Sequence, residues 1–506
     1  MKEFCVTVLP KNRRLTAEEG DNLLDLLREY GTAPDAPCGG YGTCGKCLVY
    51  VDGVRVLACK VRVDRDMTVE LPSEDRVVLS KGGGHAHPSK AAESFALAYD
   101  IGTTTVVCYL LDAESGTELD CEAMLNPQTP YGADVISRVE RACKGDLDAL
   151  AAAIRTGMSG LMDTLCRRRG ISPQQIKTVS IVGNPCMQQL FLGISTDNLR
   201  TLPFAPLLTQ GKSLRAADYL PECGEAKLLS PPHISAFLGS DILGCMLSLR
   251  QDSAEEMTLV LDIGTNGEMT LGNKDRMVAC ATAAGPALEG ANIRCGMRSA
   301  VGAIDRVWLE DGEIRIHTIE NAPAKGICGS GLIDAVAALL RCGVINGRGR
   351  LQSAQTAPEY ADRLREIDGQ RVVYLAPNVY LTQQDIREVQ LAKGAIAAGI
   401  EIMAKHLGLA VSDIERVLLA GAFGSHIDPE SACTIGLLPP ELLPKVQAVG
   451  NAAGMGAKLL ACHPEELAHI QRLRDNTEHL NLATVPSFQM TFARRMDLRQ
   501  TEEDEL

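Results

Sequence analysis

Four cysteines, Cys38, Cys44, Cys47 and Cys59, stand at the spacing C-x5-C-x2-C-x11-C. Four thiolates spaced in this way hold two irons, two ligands on each. The glycines of Cys38-Gly-Gly-Tyr-Gly-Thr-Cys44-Gly-Lys-Cys47 let a loop wrap tightly and turn its N–H groups toward sulfur. The chemistry that fits best is one-electron transfer by a [2Fe–2S] cluster. Structural zinc sites usually come as two separated C-x2–4-C pairs, and one such pair is present here.

A second constellation repeats. Asp100-Ile-Gly-Thr-Thr-Thr105 and Asp262-Ile-Gly-Thr-Asn-Gly-Glu268 lie 162 residues apart, each between apolar, strand-like runs. The repeat predicts duplication of one α/β unit. Gly102 and Gly264 let the backbone approach a phosphate. Turn N–H groups and the side chains of Thr103, Thr104, Thr105, Thr265 and Asn266 donate to it. Asp100 and Asp262, each at a strand end, are placed to hold Mg²⁺ directly or through water. Two such hairpins facing each other would clamp a nucleotide's phosphates. Further on, Arg416-Val-Leu-Leu-Ala-Gly421-Ala-Phe-Gly424 reads as a buried strand ending in a glycine turn. Its small residues, Gly421 and Gly424 among them, suit an adenine or ribose lying against the backbone. Asn184 ends another strand, where its amide would touch phosphate or water or simply stand in a turn.

The elements that position these residues follow from periodicity. Around the cysteines, Phe4–Leu9 and Arg14–Thr16 read as a strand pair and Asn22–Tyr30 as an amphipathic helix closed by Gly31. Leu48–Val51 and Val54–Leu57 flank an Asp-Gly turn, and Met67–Leu71 closes the unit. Together these elements resemble a β-grasp ferredoxin domain over residues 1–75. A linker over 76–93 contains Lys81-Gly-Gly-Gly-His-Ala-His-Pro88. Residues 94–256 and 257–490 then form two lobes, and 491–506 a solvated tail. Leu147–Arg169 is expected as a helix, Gly326–Gly331 as a loop leading into a helix from Leu332, and Thr382 as the N-cap of a long helix reaching His406.

Composition narrows the function. A net charge of −14 argues against nucleic acid as a partner. Eighteen cysteines, most without ligand spacing, suit a reducing compartment. No N-terminal apolar segment and no run of 18 apolar residues is present, so a cytoplasmic protein without membrane spans is expected. No G-x-G-x-x-G follows a strand, so a flavin or NAD reductase finds no support.

The ordered motifs resemble the phosphate-1, phosphate-2 and adenosine motifs of the acetate and sugar kinase/Hsp70/actin superfamily. With the ferredoxin in front, the chain is similar to the reductive activators of corrinoid proteins. Ala284-Gly-Pro-Ala-Leu-Glu-Gly, Gly326-Ile-Cys-Gly-Ser-Gly, Asp385-Ile-Arg-Glu-Val-Gln-Leu-Ala-Lys and Pro486-Ser-Phe-Gln-Met-Thr-Phe are further family-like stretches. The resemblance implies an α/β multidomain fold, a β-grasp ferredoxin followed by a duplicated RNase H-like ATPase. It implies ATP, Mg²⁺ and a [2Fe–2S] cluster as cofactors. The cluster would pass one electron to the Co(II) corrinoid of a methyl-transferring protein, restoring Co(I). Asp100 and Asp262 would position Mg²⁺, and Glu268 is a candidate for orienting water. A low-potential electron donor and a homodimer are also implied. Two alternatives remain: an activator of the 2-hydroxyacyl-CoA dehydratase type, and a nucleotide-binding redox sensor.

Overall fold

The computed structural model describes residues 2–9, 12–34, 36, 40, 47–71, 94–264, 266–290 and 292–498. Cys38, Cys44, Thr265, the linker 76–93 and the acidic chain end lie outside them. The described residues form two compact units. One runs to Ser240 and takes back Ala457–Ala468; the other holds Asp241–Gly456 and resumes at His469.

The first unit opens with β1 (Glu3–Leu9), β2 (Arg13–Glu18), α1 (Leu23–Glu29), β3 (Leu48–Val51), β4 (Val54–Leu57) and β5 (Met67–Glu70). They form one five-stranded sheet in the order β2-β1-β5-β3-β4, with β5 parallel to β1. The Asp52-Gly53 turn has both residues at positive φ (50° and 81°), the geometry whose twist suits a two-residue hairpin. Leu23, Leu24 and Leu27 of α1 pack on Val6, Val49 and Val69 in a core of this domain's own.

The unit continues with β6 (Phe95–Ile101), β7 (Thr105–Asp112), β8 (Glu118–Leu125), α2 (Val135–Arg141), α3 (Leu147–Arg169), β9 (Ile176–Gly183), α4 (Pro185–Leu192), β10 (Lys212–Arg215) and β11 (Lys227–Ser230). The sheet order is β10-β11-β9-β6-β7-β8. The meander β6-β7-β8 is antiparallel, and β9 joins β6 in parallel.

The second unit begins within α5 (Ser240–Ser248) and holds β12 (Thr258–Ile263), β13 (Gly267–Gly272), β14 (Met277–Thr282), β15 (Ala303–Glu310), β16 (Glu313–Thr318), β17 (Gly326–Ile327) and α6 (Gly329–Arg341). After these come β18 (Leu364–Ile367), β19 (Gln370–Ala376), β20 (Val379–Thr382), α7 (Gln383–His406), β21 (Arg416–Ala420), α8 (Gly421–Gly424), α9 (Pro429–Thr434), β22 (Val446–Gly450), α10 (Ala452–Cys462), α11 (Glu466–Asp475), β23 (Thr477–His479) and α12 (Phe488–Arg495). Its main sheet runs β22-β21-β12-β13-β14-β23. Again a three-stranded antiparallel meander is followed by a parallel strand beside its first member. The duplication inferred from the repeated motif is therefore present in the topology.

Three expectations are corrected. The helix after Gly326 starts at Gly329 rather than Leu332, because glycine and serine at its first turn accept helical geometry once a strand stub precedes them. The chain after Ala420 winds into the short helix α8 instead of an open turn. The tail does not begin at residue 491. Thr491 is buried within α12, and Leu498 is 2% exposed. Gln390 donates to the Met496 carbonyl at 2.9 Å, the Lys393 ammonium to that of Asp497, and Leu498 N–H to Gly347 at 2.7 Å. Glu401 accepts from Arg494 and Arg495 at 2.6 and 2.7 Å. Burial, with Arg495 nearby, pushes the Lys393 amine down to about 7.

Candidate functional site

Cys47 directly precedes β3, and Cys59 follows β4. Leu48 pairs with Leu57, and the Ala58 N–H donates to the Cys47 carbonyl at 2.8 Å. The ladder thus brings both residues to one end of the hairpin. Asn22, legible in the sequence only as a helix start, caps α1 and donates its amide to the Cys59 carbonyl at 2.9 Å. Two thiols at one end of a hairpin, the other two cysteines lying outside the described residues, suit an iron–sulfur cluster.

The turn of the first copy joins β6 to β7. Gly102 N–H donates to the Thr105 carbonyl at 3.0 Å, and a Cβ on Gly102 would lie 2.7 Å from that oxygen, so only glycine closes this turn. Three side chains brace it. Asn126 donates to the Gly102 carbonyl at 2.8 Å. Arg138, with no exposed surface, donates to the carbonyls of Thr103 and Gly132 at 2.6 and 2.9 Å. Asn184 donates to the Thr103 hydroxyl at 3.0 Å and caps α4 by accepting from Met187 N–H at 3.1 Å. Asn184 therefore opens a helix rather than standing in a plain turn. Arg138 reads in the sequence only as part of a helix start, and none of its chain neighbours marks it as a buried brace.

The turn of the second copy joins β12 to β13, where Gly264 N–H donates to Asn266 at 3.0 Å. Asp262 occupies the same place in β12 as Asp100 in β6, the last residue but one of the strand. Its surroundings are acidic. Glu268 is its partner across the β12–β13 ladder and is 5% exposed. A Cβ on Gly264 would lie 3.5 Å from the Glu289 carboxylate. Burial and the charge of Asp241 push the Asp262 carboxyl up to about 7, while the Cys245 thiol donates to it at 3.7 Å and pulls the other way. Asp241 and Cys245 are four residues apart on α5, hence on one face. Neither stands out in the sequence, because their proximity to Asp262 arises only in the fold.

The glycine motif also converges here. β21 lies parallel to β12 with Ala420 beside Asp262. Gly421 follows at φ +87°, and a Cβ there would sit 2.5 Å from an Asp262 carboxylate oxygen. Gly424 lies over Leu419, with room for ordinary contact. A glycine cradle, a carboxylate pair and a neighbouring Glu268 suit a nucleotide's phosphates bridged by a divalent cation.

Comparison with known proteins agrees with both halves. Residues 6–76 match the model of the 2Fe-2S iron-sulfur cluster binding domain, 95–253 that of the RACo middle region, and 256–506 that of the C-terminal domain of RACo, the ASKHA domain. The corrinoid activation enzyme RamQ of Eubacterium limosum is 36% identical over 421 residues, spanning 80% of this chain and 71% of that one. This chain belongs to the corrinoid activation enzyme family. A second relative in the family, the [Co(II) methylated amine-specific corrinoid protein] reductase of Methanosarcina barkeri, is 25% identical over 438 residues, 78% of this chain and 75% of that one. The solved structure of a reductive activator for a corrinoid, iron-sulfur protein superposes with a TM-score of 0.74 at 27% identity, covering 99% of both chains. The cofactors of the family's domains are accordingly a [2Fe–2S] cluster and ATP, with Mg²⁺ as the usual companion ion. No helix among the described residues is long and apolar enough to cross a membrane.

Proposed function

We propose that this protein is an ATP-dependent reductive activator that returns one electron to the Co(II) corrinoid of a methyl-transferring protein, regenerating Co(I). The observation that carries the reading is the pairing, in one chain, of a ferredoxin sheet with a duplicated ATPase core in which Gly421 packs its backbone on Asp262. When bound, the [2Fe–2S] cluster supplies one electron and is oxidised by one unit as cobalt is reduced by one. Cys38, Cys44, Cys47 and Cys59 would hold it. ATP and water become ADP and phosphate. A plant-type cluster has a potential of about −400 mV. Each further 100 mV uphill costs about 2.3 kcal/mol per electron, which is why a second energy source is coupled to the transfer.

The chain's residues divide the work. Gly102, Thr103, Thr104 and Thr105, with Gly264, Thr265 and Asn266, hold phosphates. Asp100 and Asp262 would hold Mg²⁺, with Asp241 a further acid close to Asp262. Glu268 orients water. Gly421 and Gly424 lie along the adenosine. The domain limits 1–75, 94–256 and 257 onward, a cytoplasmic location, a homodimer and a low-potential donor belong to the same reading.

The test is anaerobic. Reduced protein is mixed with a Co(II) corrinoid protein, and Co(I) is followed in the visible spectrum with and without MgATP. ATP-dependent Co(I) formation is expected. An intact cluster and intact ATP hydrolysis without Co(I), across several corrinoid partners, would overturn the reading in favour of another electron acceptor.

A further inference from the structure

Arg28 lies on α1 of the ferredoxin domain, yet its side chain, 3% exposed, is spent on another domain of the same compact unit. Its Nε donates to the Pro130 carbonyl at 2.6 Å, and a terminal nitrogen donates to the same oxygen. The guanidinium also lies over the Tyr131 ring, 5.4 Å from its centroid. Asp25, one turn earlier, accepts from Arg28 at 2.6 Å and from Arg141 of α2 at 3.4 Å. On the opposite side, a Cβ on Gly40 would lie 3.5 Å from both terminal nitrogens of Arg28. Gly40 falls between Cys38 and Cys44 in the sequence.

The segment that receives Arg28 is itself tied to the first phosphate turn at both ends. At its start, Asn126 N–H donates to the Thr104 carbonyl at 2.8 Å and its amide donates to that of Gly102 at 2.8 Å. At its end, Arg138 spans the carbonyls of Gly132 and Thr103. Between these anchors Thr129 N–H and hydroxyl both donate to the Asn126 carbonyl, at 3.0 and 2.6 Å. The Gly102–Thr105 turn is thus joined to Pro130 by hydrogen bonds and short covalent spans. Pro130 in turn fixes a buried cation that lies against Gly40. The contacts form one contiguous physical network of the kind that carries coupling between sites.

We propose that Arg28 is a positioning residue that transmits nucleotide occupancy of the first phosphate turn to the loop of the iron–sulfur cluster. The role rests on the assignment of both sites under the proposed function. Arginine is suited to it because its planar fork grips one carbonyl with two N–H groups while its face rests on an aromatic ring; lysine offers a point charge without that geometry.

The test uses the full chain with its cluster, reduced under anaerobic conditions. The midpoint potential of the cluster and the electron paramagnetic resonance spectrum of its reduced form are recorded with and without the magnesium complex of β,γ-imido-ATP. In the wild type the nucleotide shifts both. In Arg28→Lys the shift falls by at least half while ATP hydrolysis stays within twofold. Tyr131→Leu reduces the shift in the same sense, and it decides on the same criterion if Arg28→Lys does not fold. A full wild-type shift in both variants overturns the proposal. So does a wild type that binds nucleotide and carries its cluster yet shows no shift. A wild type without cluster spectrum or nucleotide binding overturns the underlying assignment of the sites, and the proposal with it.

Discussion

The two Asp-Ile-Gly-Thr turns share sequence, strand register and topology, but their neighbours differ in kind. The turn after Asp100 is held from behind by donors: Asn126, Arg138 and Asn184 all reach it with N–H groups. The turn after Asp262 is faced by acids, with Asp241, Glu268 and Glu289 gathered around it. Even the matching glycines have diverged. Gly183 closes β9 opposite Ile101, the residue after Asp100, and Gly421 directly follows Ala420, which pairs with Asp262. A Cβ on Gly183 would meet the Ile101 carbonyl at 2.7 Å, whereas one on Gly421 would meet the Asp262 carboxylate at 2.5 Å. Duplication copied a backbone; what came to surround each copy set N–H donors against the first turn and carboxylates around the second.

The sharpest break in that contrast is Asp262→Ala. ATP turnover should fall on the order of 100-fold or more, measured by phosphate release, while the visible spectrum of the cluster is unchanged. Turnover that survives would remove the cation seat from the second copy. Next in size is Gly421→Ala, which strains a positive φ and thrusts a methyl group at Asp262. It should cost more than about 1 kcal/mol of stability and raise the Mg²⁺ concentration needed for hydrolysis. Gly183→Ala should also destabilise the fold yet change the Mg²⁺ dependence less than Gly421→Ala, since its methyl meets the Ile101 carbonyl rather than a carboxylate; equal Mg²⁺ effects from both would erase the distinction between the copies.

Arg138→Met tests the donors behind the first turn. Removing the guanidinium leaves the Thr103 and Gly132 carbonyls buried without their donor, a loss of about 1–3 kcal/mol by denaturant unfolding. KM for ATP should rise several-fold, and an unchanged KM would make Arg138 a brace for the fold alone. Asn184→Ala is the mildest, costing about 1 kcal/mol through the lost helix cap. Its effect on KM should be smaller than that of Arg138→Met.

Much of the fold and of the site is legible in the amino-acid sequence. Local features carry their own signal: the Asp52-Gly53 hairpin, the Thr382 cap and the repeated turns each depend on residues adjacent in the chain. The features that escape are those made by distance. Asp241 and Cys245 look like ordinary residues of an amphipathic helix until β12 places Asp262 beside them. Gly421 announces a turn by its type, but its approach to a carboxylate 159 positions earlier is a product of parallel pairing. Arg138 and Lys393 would be assigned to the surface on composition, since burying a cation is costly unless carbonyls are waiting for it. Those carbonyls belong to turns and a chain end that pattern reading takes as solvated, which is also why periodicity starts the tail too early.

Residues 457–468 return to the first compact unit, where Ala457 and Leu460 are fully buried, the Ser180 hydroxyl donates to Ala457, and Lys458 pairs with Glu118 at 2.9 Å. The duplicated halves are therefore spliced into one another along the chain. A fragment ending at residue 240 would be translated without a piece of its own interior. Neither half is a cassette that a recombination event, or an engineer, could move intact, and refinement of one copy has had to proceed in the company of the other.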